Sequence, residues 1–148
     1  MAKVIALQGN DNTGKTTTLK LVIKMLLNDK ARLIDFSNNF GYWLHNHSSV
    51  GDIWAIMEYK NEIIFITTAG DYPQIIKDTF SRALQLSGLK ATNINIFISA
   101  IHDTPLCKQA IKQIESDIGA NQIIYVNKIS SQTKTNDVTD ANKVFSSI

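Results

Sequence analysis

Short apolar runs alternate along the chain with segments in which apolar residues recur every three or four positions. Val4-Ile5-Ala6-Leu7 is a continuous apolar run closed by Gly9, the pattern of a strand buried on both faces. Leu19, Val22, Ile23, Leu26 and Leu27 then keep helical spacing and predict a helix from about Lys15 to Asn28. Arg32–Phe36 reads as a second strand. The runs Asp52–Tyr59 and Glu62–Thr68, separated by Lys60-Asn61, read as a hairpin. Asp71-Tyr72-Pro73 opens a helix, with Pro73 where its missing N–H costs nothing, and Gly88 stops it. Asn93–Ser99 predicts another strand, Asp103-Thr104-Pro105 a helix running to Gly119, and Gln122–Val126 a last strand. Val138, Ala141, Phe145 and Ile148 suggest a short closing helix, while Ser37–Gly51 keeps no period and reads as a loop of about fifteen residues.

Strands that alternate with helices imply a mostly parallel sheet covered on both faces. The expected fold is therefore a single three-layer α/β domain spanning residues 1–148, with the Asp52–Tyr59 hairpin strand antiparallel. The pattern leaves strand order open.

Composition changes this picture little. The chain has 148 residues, 44% hydrophobic and 19% charged, which suits one globular domain. The net charge of +2 comes with lysines scattered from Lys3 to Lys143 and arginine only at Arg32 and Arg82. That gives no signal for nucleic acid, whose grooves call for clustered basic residues with interleaved aromatics. A single cysteine, Cys107, cannot form an internal disulfide and suits a reducing compartment. The start of the chain lacks the apolar core of a secretory signal, and no run reaches membrane-spanning length. The expectation is a cytoplasmic protein without membrane contact.

The candidate chemistry lies between the first strand and the first helix. There Gly9-Asn10-Asp11-Asn12-Thr13-Gly14-Lys15-Thr16 keeps the spacing Gly-x4-Gly-Lys-Thr. Glycines let backbone N–H groups turn inward around a phosphate, and the helix that follows aims its positive end at the anion. Lys15 can reach the outer phosphate oxygens as a mobile point charge, and Thr16 offers a hydroxyl to magnesium, with Thr17 next to it. This turn resembles the Walker A motif of the P-loop NTPase superfamily. The resemblance covers about the first 28 residues. It implies a doubly wound fold, a nucleotide at the carboxyl ends of the strands, and Mg²⁺.

Weaker echoes follow. In that superfamily an apolar strand ends in an acidic residue that holds magnesium. Here Ile63-Ile64-Phe65-Ile66-Thr67-Thr68-Ala69-Gly70-Asp71 resembles the GTPase stretch Asp-Thr-Ala-Gly, with Thr67 where the acid would stand. Asp71 is the nearest substitute, or else the cap of the next helix. Asp35, at the end of the second strand, is a second candidate for metal or acceptor. His102 and Asp103 could serve as base and orienting acid, or as a surface imidazole beside a helix start. Val126-Asn127-Lys128 resembles the guanine-reading Asn-Lys-x-Asp, yet the fourth position is Ser130, so ATP is the more natural ligand than GTP. Asn127 or Lys128 could still touch base or ribose. In the Ser37–Gly51 segment, Phe40, Tyr42 and Trp43 could stack on a base or fold back onto the core, and His45 and His47 are too sparse for a metal site.

Three functions remain in view. The leading one is a magnesium-dependent NTP hydrolase, possible reporter to a protein partner, with Lys15 and Asp71 catalytic and Thr16, Asp71 and Asp35 about the metal. The alternatives are a small-molecule or nucleotide kinase, which the shortage of arginine weakens, and a nucleotide-binding module without turnover.

Overall fold

Val4, Ile5, Ala6 and Leu7 are wholly buried because strand β1 (Lys3–Gly9) has a neighbour on each side and helices over each face. A computed structural model describes residues 2–10, 13–46, 51–129 and 133–148 of the chain. In order they form β1, α1 (Lys15–Asn28), β2 (Arg32–Phe36), α2 (Phe40–Asn46), β3 (Trp54–Tyr59), β4 (Glu62–Thr67), α3 (Pro73–Ser87), β5 (Ile96–His102), α4 (Pro105–Asp117), β6 (Ile123–Asn127) and α5 (Lys134–Ser146). The strands make one sheet in the order β2-β3-β4-β5-β1-β6. It is an α/β fold with a mostly parallel sheet: β3 runs antiparallel to both β2 and β4, while β4, β5, β1 and β6 are mutually parallel.

Side-chain alternation divides the core in two. Ile5 and Leu7 of β1, Ile64 and Ile66 of β4, and Ile98 and Ala100 of β5 pack beneath α1, α2 and α5. Val4, Ala6, Phe65, Phe97 and Ile101 face α3 and α4. Phe65, Phe80 and Phe97 meet there at ring separations of 5.2–5.6 Å, one pair stacked and two edge-on.

The hairpin turn is made by Lys60 and Asn61, both at positive φ (50° and 65°), as a type I′ turn requires. Two expectations need correction. The strand expected at Asn93–Ser99 begins three residues later, because Ala91–Asn93 coil into a 3-10 turn and Asn95 uses its side chain to accept from the Ile63 amide. The Ser37–Gly51 segment is not a structureless loop: Phe40 and Trp43, three residues apart, fold into α2 and are buried against the core. Trp43 lies under the ammonium groups of Lys20 and Lys24 on α1, at 5.7 and 5.4 Å from the ring centre. Tyr42 points out, and His47 lies outside the described residues. No described helix is long and apolar enough to cross a membrane.

Parallel strands deliver their carboxyl ends, and the starts of α1, α3 and α4, to one edge of the sheet. At that edge Gly9 is the register partner of His102, and Gln8 that of Asn127.

Candidate functional site

Gly14 takes a left-handed φ of 85° and starts α1, its carbonyl accepting from the Thr18 amide. The first turn of α1 holds no acidic residue, and no described side chain caps it. By contrast the threonines at the starts of α4 and α5 cap their helices through Oγ1. Among the described residues, the first turn of α1 therefore supplies no acid of its own to its positive end.

Lys15 is 7% exposed. Its ammonium donates to the carbonyls of Gly9 (2.9 Å) and Asn10 (2.8 Å), which draws it across the turn. The Thr13 hydroxyl donates to the Asn10 carbonyl as well. A methyl group on Gly9 would stand 2.9 Å from Thr13 Oγ1 and 3.2 Å from Lys128 Cβ, so a side chain there would have to displace the Thr13 hydroxyl and press on Lys128. Asp11 and Asn12 lie outside the described residues. Thr17 is exposed and borders a cleft with Val138 of α5.

The carboxylate next to Thr16 is one the sequence reading passed over. Asp52, just before β3, accepts from Thr68 Oγ1 at 2.9 Å and from Thr16 Oγ1 at 3.5 Å. Its own carbonyl accepts from the Asn39 side chain, which Ser37 steadies in turn. The Thr68 hydroxyl also accepts from the Ile53 amide, so a buried side chain ties the end of β4 to the approach of β3 and aims Asp52 at α1. Lys20, one turn along α1, has its pKa lowered by burial, an effect the Asp52 charge partly offsets. The only signal available in the sequence was an acid at the first position of an apolar strand, where its partner Thr16 was invisible.

Alternation explains why Thr67 does not serve. It falls on the α3 and α4 face, is fully buried, and its hydroxyl accepts from the Ala69 amide. Thr68, one residue on, faces α1. Asp71 is not the cap of α3 either: Tyr72 holds that position, without a side-chain cap bond. Asp71 instead lines a cavity with Tyr72, His102, Thr104 and Cys107. Between Gly70 and this cavity the backbone runs hard against β5, since a methyl group on Gly70 would fall 1.5 Å from the Ala100 carbonyl oxygen. Asp35 stands on β2, four strand spacings or about 19 Å across the sheet from β1, and is engaged by the Phe36 amide. The structure brings neither Asp35 nor Asp71 to Thr16.

On the other flank, Asn127 accepts from the Gln8 side chain. Lys128 is not available to a base. Its side chain is fully buried and its ammonium pairs with Asp137 (2.9 Å) and Asp140 (3.1 Å) of α5. Asp137 also accepts from Thr18 of α1 at 3.5 Å, and Asp140 from the Ile129 amide. Ser130 lies outside the described residues. The Lys128 amide donates to the Gln8 carbonyl, so this ionic cluster fastens α5 to the floor of the turn. Asp103 pairs with Lys108 at 3.2 Å.

No protein-family model, curated protein or solved structure matches the chain.

Proposed function

We propose that the Gly9–Thr16 turn binds a nucleoside triphosphate with Mg²⁺, and that the chain hydrolyses its terminal phosphoanhydride. The observation that carries this is the pairing of the Thr16 hydroxyl with Asp52, beside a helix start that has no acid of its own and a lysine fixed across the turn. A hydroxyl and a carboxylate at the first turn of α1 are the donor types a hard cation takes. Thr16 would hold Mg²⁺ directly and Asp52 would hold it or its water, in place of Asp71 and Asp35. Bound there, the ion would neutralise charge building on the outer phosphates. The chain's own residues do the rest: the turn encloses the phosphates, Lys15 adds a fixed positive charge, and Thr68 keeps Asp52 aimed.

ATP fits better than GTP. The guanine-reading acid is replaced by Ser130, and Lys128 is committed to Asp137 and Asp140. Asn127, exposed next to Gln8, is the residue left to meet the base or ribose.

The test is a titration of ATP with and without magnesium. Asp52→Asn should weaken Mg-ATP binding by about 10- to 100-fold, as loss of a metal's supporting carboxylate commonly does, and leave metal-free ATP binding unchanged. Asp71→Asn and Asp35→Asn should leave both unchanged. A metal dependence that survives in Asp52→Asn and vanishes in Asp71→Asn would return the metal to Asp71.

A second reading is transfer of the same phosphoryl group to an organic acceptor. One observation favours it: the edge of the sheet next to Gly9 carries a cavity of about 550 Å³, a volume within the usual range of small-molecule sites.

A further inference from the structure

We propose that this cavity, at the starts of α3 and α4, is an acceptor site for an uncharged or cationic small molecule that carries a hydroxyl group and an apolar face, with His102 as the base that takes the hydroxyl proton. The inference rests on the nucleotide reading and extends it.

Position comes first. Thr16, Asp52 and Thr68 all lie on the β4 side of β1, so the outer phosphates of a nucleotide held in the turn point that way, away from β6. The strand between β1 and β4 is β5, and β5 ends in His102, the register partner of Gly9. Neighbouring strands are about 4.8 Å apart, which puts His102 at the rim of the turn. Its amide donates to the Gly70 carbonyl, which fixes the end of β5 against the Gly70-Asp71 bend. With Ala100 beneath α1 and Ile101 on the opposite face, alternation sets His102 toward the α1 side, and the cavity reaches it from the α3 and α4 side. His102 stands where turn and cavity meet.

The lining sets the ligand class. The cavity is far larger than the ~30 Å³ that one water occupies in the liquid, so an attacking water alone does not account for it. Tyr72 and Leu106 are 65% and 62% exposed at its rim, and Cys107 is buried among its walls. These surfaces fit an apolar ring or chain. Asp71, Thr104 and His102 supply the polar contacts, and no lysine or arginine is among the described lining residues. A phosphate ester or carboxylic acid would face Asp71 with only the starts of α3 and α4, and no basic side chain among the described lining residues, to offset the repulsion. A neutral alcohol or an amino alcohol would meet no such repulsion.

The step balances without another reagent. The acceptor oxygen forms a bond to the γ-phosphorus, the bond from that phosphorus to the β,γ-bridging oxygen breaks, and its electron pair leaves on the diphosphate. The hydroxyl proton passes to a ring nitrogen of His102. With the cavity empty, water takes the acceptor's place, which gives the hydrolysis proposed above.

The experiment incubates the full chain with γ-labelled ATP and Mg²⁺ beside separate pools of nucleosides, hexoses, amino alcohols and nucleoside monophosphates, each compound at about 1 mM, the upper end of common KM values. Mg-ATP binding is measured in parallel. Labelled organic phosphate should form from a neutral or amino-alcohol pool. It should fall by roughly 100-fold or more in His102→Gln, as loss of a general base does, and Leu106→Trp, which fills the mouth of the cavity from an exposed position, should raise the acceptor KM. Both variants should bind Mg-ATP as the parent does. Label appearing only as inorganic phosphate at a rate no pool alters would overturn the proposal. So would organic product that both variants make undiminished, or product from the monophosphates alone. Failure of the parent chain to bind Mg-ATP is a different result and removes the nucleotide reading itself.

Discussion

Replacing Lys128 by methionine is expected to cost about 3–5 kcal/mol of folding stability, the usual result of stripping one partner from a buried ionic group. The side chain is fully buried and its ammonium stands 2.9 Å from Asp137 and 3.1 Å from Asp140. Methionine has nearly the same length, so the loss is chiefly of charge. Two carboxylates would remain in the interior, held by the Thr18 hydroxyl, the Ile129 amide and Lys143, whose more exposed ammonium approaches Asp140 at 3.6 Å. A domain of this kind has about 5–15 kcal/mol in all, so the variant should unfold at much lower urea. Adding Asp137→Asn and Asp140→Asn should restore a large part of the loss, because the penalty lies in unpaired charge rather than in lost shape. A cost below about 1 kcal/mol would mean that the carboxylates are solvated or protonated, contrary to their burial.

Lys15→Ala should be the most damaging substitution for ligand binding. One charge-assisted contact to a phosphate is worth about 1.5–3 kcal/mol, a loss of roughly 10- to 150-fold in affinity. The same change leaves the carbonyls of Gly9 and Asn10 without the donor they now share. A stability loss of about 1–3 kcal/mol should accompany it. Lys15→Arg separates the two effects: it keeps the charge, yet a planar fork cannot cross the turn to both carbonyls as an ammonium does. Urea melts should find both variants folded, and calorimetric titration should find ATP affinity lowered by that factor in Lys15→Ala. Unchanged affinity would show that the ammonium serves the turn alone.

How much of this was legible in the sequence depended on whether the partner of each residue was near in the chain. Helix α1 and its apolar stripe, the Pro73 and Pro105 starts, the Gly88 and Gly119 stops and the Lys60-Asn61 hairpin are local, and they were readable because propensity and period agree there. The strand order was not, because nothing local says that β5 lies between β1 and β4. That gap hid the site. Without the order, Asp71 and Asp35 were as good as any acid, and Thr67 marked the metal position by analogy. Side-chain alternation then turns Thr67 away and Thr68 toward α1, a difference of one residue that no pattern could resolve. Asp52 was invisible for the same reason: it lies 36 residues beyond its partner Thr16. Lys128 was misread because its two carboxylates come from α5. Helix α2 escaped notice because it spans seven residues, and Phe40, Trp43 and Leu44 on its inward face cover barely one turn, too little to establish a period.

The central claim is that the turn from β1 into α1 encloses a polyphosphate, and the most direct measurement is a set of backbone amide shifts recorded while Mg-ATP is added to isotope-labelled protein. The account predicts that the largest changes fall on the amides of residues 9–17, with Asp52 and Thr68 following only when magnesium is present, and that adenosine alone leaves those amides unmoved. Shifts that spare residues 9–17, or that adenosine reproduces in full, would contradict it.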